Sequence, residues 1–288
     1  MTAIPISVVI PCGDHGNQLF LALNSVLTQS QKPMEIILVH NSDKALSSDL
    51  KDLVSKNGLH LIEFSELIGP SRARNVGISR STGEYVALLD ADDEWFPEKI
   101  ALQYEFMKRH DLDLSTTDFA IYDFKKNCKQ SLRNGSYTKY DLKRRCHLGV
   151  GSTVMFRREL YKHGLSFDEN LSRFEDWDFM LRCTDSNIRY GNLESSLTLV
   201  HRLPTKSWGL ASNALFAFKE KYIIGKLWDR HLASGIYLER AVIQFRERNL
   251  IFIVSALISL IKDFRQGTFY FRNFKNHILR TFCNKQKM

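Results

Sequence analysis

Three carboxylates within four positions, Asp90, Asp92 and Asp93, follow directly on the apolar run Tyr85-Val-Ala-Leu-Leu89, and Glu94 comes next. Like charges this close raise one another's pKa, so a cluster at a strand end is most simply kept ionised by a divalent cation with oxygen ligands, Mg²⁺ or Mn²⁺. The same residues also suit a turn into the helix that Pro97 opens, because Asp and Glu favour the positive end of a helix. A second acidic group, Glu175-Asp176-Trp177-Asp178, opens an amphipathic helical pattern over 173–182. A carboxylate placed there can take a proton from a reacting hydroxyl, or all three can serve the helix dipole.

Such groups need elements to hold them. Ile6 to Ile10 reads as a strand that Pro11 ends, Glu35 to Val39 as a second, Leu59 to Phe64 as a third and Tyr85 to Leu89 as a fourth. Helical patterns at 19–28, 70–80 and 97–110 lie between or after them. Strands alternating with helices argue for a mainly parallel sheet covered by helices, an α/β fold, with ligands bound at the carboxyl ends of the strands. That rule gathers Cys12 to Asp14, His40 to Asp43 and Asp90 to Asp93 on one edge as a polar cleft. Mixed segments follow over 112–124 and 150–156, with a hairpin signal at Asn134-Gly135.

The ordered set Ser7-Val-Val-Ile-Pro11, Ser25-Val-Leu-Thr-Gln29, Glu35-Ile-Ile-Leu-Val39, Gly69-Pro-Ser-Arg-Ala-Arg-Asn-Val-Gly77, Gly83-Glu-Tyr-Val86, Asp90-Ala-Asp-Asp93 and Glu175-Asp-Trp-Asp178 resembles the family 2 glycosyltransferases. Each motif is weak alone; seven in the family's order are not. The resemblance covers about residues 4–205 and implies a GT-A-type nucleotide-sugar-binding domain and an inverting transfer from a nucleotide-diphosphate sugar. By the same resemblance Asp92 holds the metal, Asp93 assists and His201 adds a further metal or diphosphate contact. Asp90 lies near the nucleoside, and Asp176 is the general base with Glu175 beside it.

Departures from the family pattern fall in the expected nucleoside pocket. Pro11-Cys12-Gly13-Asp14 stands where an aromatic is usual, and His40-Asn41-Ser42-Asp43 stands where an acid is usual. Pro11, Gly13, Asp14 and Asn41 are therefore read as donor-binding positions with an altered base preference. Arg74, near a helix start, either approaches the donor phosphates or packs against its own surroundings.

With 44% hydrophobic and 25% charged residues the chain reads as globular, and its five cysteines are odd in number and lack a C-x-x-C pair. Neither a disulfide framework nor a zinc site is expected, and a reducing cytosol fits. The start Met1-Thr-Ala-Ile-Pro-Ile6 has no basic leader region, which again points to the cytoplasm. The charge is concentrated late: residues 219–288 hold 14 Lys and Arg against 5 Asp and Glu. A helical extension over 206–288 is expected to follow the catalytic domain, 1–205, with helical runs at 207–228, 232–264 and 268–282 and a boundary near Pro204. Its basic and apolar residues suit an anionic membrane surface on the inner face, or packing on the catalytic domain. A glycan or lipid-linked glycan is the expected acceptor, and no nucleic acid is expected as partner. The alternatives are a nucleotidyltransferase and a non-catalytic subunit impaired in donor binding.

Overall fold

The structure is a computed structural model describing residues 3–123, 128–132, 138–144, 151–186, 188–201, 208–224, 229–246 and 251–263. The chain separates into two compact units: Met1–Lys139 with His147–Pro204, and Tyr140–Cys146 with Thr205–Met288. In the first, β1 (Ile4–Cys12), α1 (Asn17–Leu27), β2 (Pro33–Asn41), α2 (Ser48–Lys56), β3 (His60–Phe64), α3 (Pro70–Arg80) and β4 (Tyr85–Leu88) alternate. Next come β5 (Asp93–Trp95), α4 (Lys99–Arg109), β6 (Leu114–Asp123) and β7 (Cys128–Leu132). A short helix, α5 (Lys139–Arg144), falls almost wholly in the second unit, after which β8 (Met155–Arg157), α6 (Glu159–Lys162), α7 (Glu175–Asp185) and β9 (Tyr190–His201) complete the first.

The strands form one sheet in the order β3-β2-β1-β4-β8-β6-β9-β5, with β7 on β6. Strands β3, β2, β1 and β4 are parallel, as is the long β6–β9 ladder, while β8, β7 and β5 join antiparallel. Alternation along β1 and β2 explains why both faces are apolar: side chains of one strand point to opposite faces in turn. Ile6, Val8, Ile10, Ile36 and Leu38 join Leu19, Leu23 and Val26 of α1 in the main core. Ile37 and Val39 turn the other way, onto Ala73 of α3.

Strand β1 continues through Pro11, which pairs with Val39, and reaches Cys12 opposite His40. Proline is tolerated so near the strand end because β4 pairs no further along β1 than Val9. Strand β2 likewise takes in His40 and Asn41, so these residues sit on a strand and not in the loop expected for them. The short β5 and the twelve-residue β9 were not anticipated; their alternation is broken by Gly191, Asn192 and Glu194, or is too short to register. Within the mixed segment over 150–156 lie a 3₁₀ turn at Gly151–Thr153 and the start of β8.

The second unit contains α5, then α8 (Trp208–Lys219) running into a π-helical turn at Glu220–Ile224, α9 (Arg230–Arg246) and α10 (Phe252–Lys262). The helical run expected over 232–264 is thus split between α9 and α10. The hairpin signal at Asn134-Gly135, the boundary near Pro204 and the helix expected over 268–282 lie outside the described residues. Gly235 of α9 meets the end of α5: a Cβ there would lie 2.6 Å from the carbonyl oxygens of Lys143 and Arg144.

Helix α3 carries residues that matter below, and a glycine sets how close it lies to the sheet. A Cβ on Gly77 would fall 2.3 Å from Val9 Cγ1 and 3.2 Å from Val39 Cγ2, both in packed core. Gly77→Ala should therefore destabilise the fold by about 1–3 kcal/mol through overpacking, read as a lower urea midpoint at unchanged slope. An unchanged midpoint would show that α3 can lift off β1 without cost.

Candidate active site

At the carboxyl ends of β1, β2 and β4, against the start of α3, lies a pocket of about 420 Å³. Pro11, Gly13, Asn41, Arg74, Asp90 and Asp92 all line it, so these expected positions converge. Asp14 does not line it; it is exposed and forms an ion pair with Lys44, which holds its carboxyl below the usual range. His15 does line it, its Nδ1 accepting from Gly13 N at 3.0 Å, and no sequence signal singled it out.

Arg74 is 3% exposed, and its guanidinium joins two acidic groups that are some eighty residues apart in sequence. One terminal nitrogen donates to Asp90 Oδ1 at 2.7 Å, the other to Glu175 Oε1 at 2.9 Å, with Asp176 Oδ1 at 3.8 Å. Burial opposes its charge, but Asp90, Asp176 and Glu175 more than offset this and hold its pKa well above the ordinary value. Gly151 closes the cluster: a Cβ there would lie 3.2 Å from Arg74 Nη2, 3.3 Å from Asp176 Oδ1 and 3.5 Å from Asp90 Oδ2.

Asp176 stands apart from its neighbours. Burial, opposed by Arg74 and reinforced by Glu175 and Asp90, raises its pKa to about 7. Among the described residues no hydrogen-bond donor reaches its buried Oδ1. The preceding Phe174 has φ 64°, a left-handed conformation that costs a residue with a Cβ about 1–3 kcal/mol and that turns the chain into α7 just before the two acids. Asp178, the third acid of this turn, is fully buried and bonds Arg182 of the same helix, a structural pairing.

The acids after β4 divide in the same way. Asp92 is partly exposed at the pocket, its pKa raised by burial and by Asp90. Asp93, expected to assist at the metal, is 2% exposed and turned inward: Oδ2 accepts from Ser152 Oγ at 2.6 Å and Oδ1 from His201 N at 3.3 Å. Burial first, then Asp90 and Asp92, pushes its pKa well above the ordinary range. His201 is carried by β9, paired antiparallel to β5, and its Nε2 meets Glu94 Oε1 at 2.5 Å. Ser152 was not singled out from sequence, yet its hydroxyl also accepts from Asp90 N at 2.9 Å and its carbonyl accepts from Trp95 Nε1 at 2.8 Å. Behind it Ser25 Oγ accepts from Trp95 N, and Gln29 bonds Phe96 O and Ile100 N, fixing the chain beyond the acids.

Among the described residues no three His, Cys, Asp or Glu side chains converge as a ready metal cage. The donor set instead suits an ion that takes one or two carboxylates and completes its shell with phosphate oxygens and water, the habit of Mg²⁺ and Mn²⁺. The under-neutralised carboxylate of Asp92 is the group such an ion would relieve.

The sequence model of Glycosyl transferase family 2 matches residues 7–165. An uncharacterized glycosyltransferase of Rickettsia felis is 25% identical over 286 residues, 96% of this chain and 46% of its own length. This chain spans less than half the length of the first curated relatives it matches. Among solved structures, S. aureus TarS 1-349 in complex with UDP-GlcNAc superposes with a TM-score of 0.63 at 18% identity, covering 88% of this chain and 79% of that one. The mannosyltransferase PcManGT of Pyrobaculum calidifontis, in complex with GDP-Man and Mn²⁺, gives 0.62 at 14% identity, covering 93% and 76%. At these identities the structural likeness is one of fold.

Removing the shared cation tests the cluster. Arg74→Met should cost about 3–5 kcal/mol of stability at pH 8, because buried carboxylates lose their partner. Without Arg74 the pKa of Asp176 rises further above its ordinary value, so the penalty is greatest above neutral pH. It shrinks as pH falls through that pKa and the carboxyl takes up a proton. Urea unfolding at pH 8 and pH 5 checks this, and an equal loss at both would contradict it.

Proposed function

Because this chain belongs to glycosyl transferase family 2, we propose that it moves a sugar from a nucleotide-diphosphate donor to a hydroxyl of a glycan or lipid-linked glycan, with inversion. The observation that carries the reading is Arg74, which ties the acid at the pocket floor, Asp90, to the acid pair at the head of α7. Donor and acceptor groups would thereby meet at one buried junction. The family assignment favours this reading over the nucleotidyltransferase alternative.

In this reading Asp176 is the general base. A sugar hydroxyl is a weak nucleophile; as its oxygen bonds to the anomeric carbon, its proton passes to the Asp176 carboxylate while the bond to the diphosphate breaks on the opposite side. A base with a pKa of about 7 suits the task, being ionised in a useful fraction at neutral pH and basic enough to hold the proton. Glu175, bonded to Arg74, orients its neighbour. Asp92, together with the donor's phosphate oxygens, would hold Mg²⁺ or Mn²⁺, which when bound offsets charge on the departing diphosphate. Asp93, with both oxygens engaged by Ser152 and His201, positions the turn that presents Asp92.

Asn41 shapes donor choice. Its Nδ2 donates to Cys12 O at 2.9 Å, and a carbonyl can only accept, so the amide is fixed with Oδ1 as its acceptor for a ligand. A neutral acceptor still receives a base imide N–H, but less strongly than a carboxylate, by about 1 kcal/mol or more. Among the described residues no helix is long and apolar enough to cross a membrane.

Two measurements test the reading. Asp176→Asn should lower turnover by about 10²-fold or more with donor affinity nearly unchanged, since only a transition-state role is lost. In the wild type, turnover at saturating donor should rise with pH along a limb near 7, a value belonging to the Arg74 cluster as a whole. Near-normal turnover in the variant would leave Asp176 a helix-dipole residue.

The donor base is tested separately. Uridine, thymidine and guanosine diphosphates should bind within roughly 10³-fold of one another, about 4 kcal/mol, when titrated side by side. A steeper uridine preference would contradict the role given to Asn41.

A further inference from the structure

Helix α10 is built inside out. Its polar residues Ser255 and Ser259 are buried, whereas Ile253, Val254 and Leu257 are each about half exposed and Ile261 is 82% exposed. At 100° per residue these four fall in one arc of about a quarter turn, flanked by the partly exposed Ile258 and Leu260. The helix carries one charged residue, Lys262, and that lies outside the arc.

The inward face shows how α10 is held. Ser234 Oγ of α9 donates to Ser259 O at 2.8 Å, Ser259 Oγ donates back to Ser234 O at 2.8 Å, and Ser255 Oγ donates to Gln244 Oε1 at 2.7 Å. These hydrogen bonds tie α10 to α9 on its inward face.

We propose that the exposed face of α10 docks on an anionic lipid surface, lying in the plane of the headgroup and acyl boundary. Charge selects this occupant over a protein partner: residues 219–288 contribute 14 Lys and Arg against 5 Asp and Glu, with Lys262 and Arg246 at the ends of the helix pair. A stretch of sequence rich in basic residues that also presents an apolar face is what an anionic bilayer attracts and then accommodates. Length excludes a span, since eleven residues reach about 16 Å against a hydrocarbon core of about 30 Å. The docking is independent of the sugar chemistry and stands or falls without it.

Sedimentation of the full chain with vesicles of phosphatidylcholine containing increasing phosphatidylglycerol tests it. Binding should rise with anionic lipid, fall with salt, and drop at least tenfold in Leu257→Glu with Ile261→Glu, whose melting temperature should stay at the wild-type value because both side chains are exposed. The pair Leu257→Phe and Ile261→Phe should bind as the wild type does, showing that apolar character is what counts. Vesicle binding undiminished by the two glutamates, or no binding by the wild type, overturns the proposal. So does a wild-type dimer that the glutamates convert to monomer, which would make the face an interface between copies of the chain.

Discussion

One buried cation organises the catalytic unit. Placing a guanidinium at 3% exposure is costly, and the cost is met only because three carboxylates from two distant stretches surround it. The dependence is mutual: Asp90, Glu175 and Asp176 would repel one another without Arg74. That pairing explains why α3 lies so near the sheet, with Gly77 against Val9, since Arg74 one turn earlier in the helix must reach both the end of β4 and the head of α7. It also explains Gly151, where a side chain would press on Arg74, Asp176 and Asp90 at once.

Around this centre the structure meets its acidic crowding by turning acids in different directions. Asp93 points into the protein, onto the Ser152 hydroxyl and the His201 amide, and Asp178 turns to Arg182. Asp92 alone of the triplet after β4 remains at the pocket without a cation of the protein's own in hydrogen-bond reach among the described residues. Behind them Trp95 links Ser152 to Ser25, and Lys99, fully buried, places its Nζ 3.7 Å above the Trp95 ring. Burial pushes that lysine's pKa well below its ordinary value, so the indole face substitutes for water around a group that has lost it.

Much of the first unit was legible because its signals are local. The β-branched runs of β1 and β2, the turn before α3 and the acids after β4 each announce themselves within ten residues, and the parallel-sheet rule then places the cleft. What escaped depends on contacts distant in sequence. Whether Arg74 approached phosphates or packed into its surroundings was left open by its neighbours in the chain; its partners Glu175 and Asp176 are a hundred residues away. Ser152 and Gly151 lie in a turn with no periodicity, and His201 meets Glu94 only because β9 pairs with β5. In the apolar run that becomes α10, sequence could not tell which side faces inward, since nothing in the pattern marks serines as the buried face.

The geometry around Arg74 also shows why one acid of three is suited to take up a proton. Asp90 and Glu175 accept direct charge-assisted hydrogen bonds from Arg74 at 2.7 and 2.9 Å. Asp176 has its nearer oxygen 3.8 Å from the same guanidinium, beyond hydrogen-bond length, and is buried beside two other carboxylates. It therefore feels the cation's field but not its hydrogen bond, and burial with like-charge repulsion lifts its proton affinity to near neutrality. A closer guanidinium would lower that affinity and a more distant one would raise it. The separation thus sets Asp176 between those two cases, and Gly151 and the strained turn at Phe174 are the elements that hold it there.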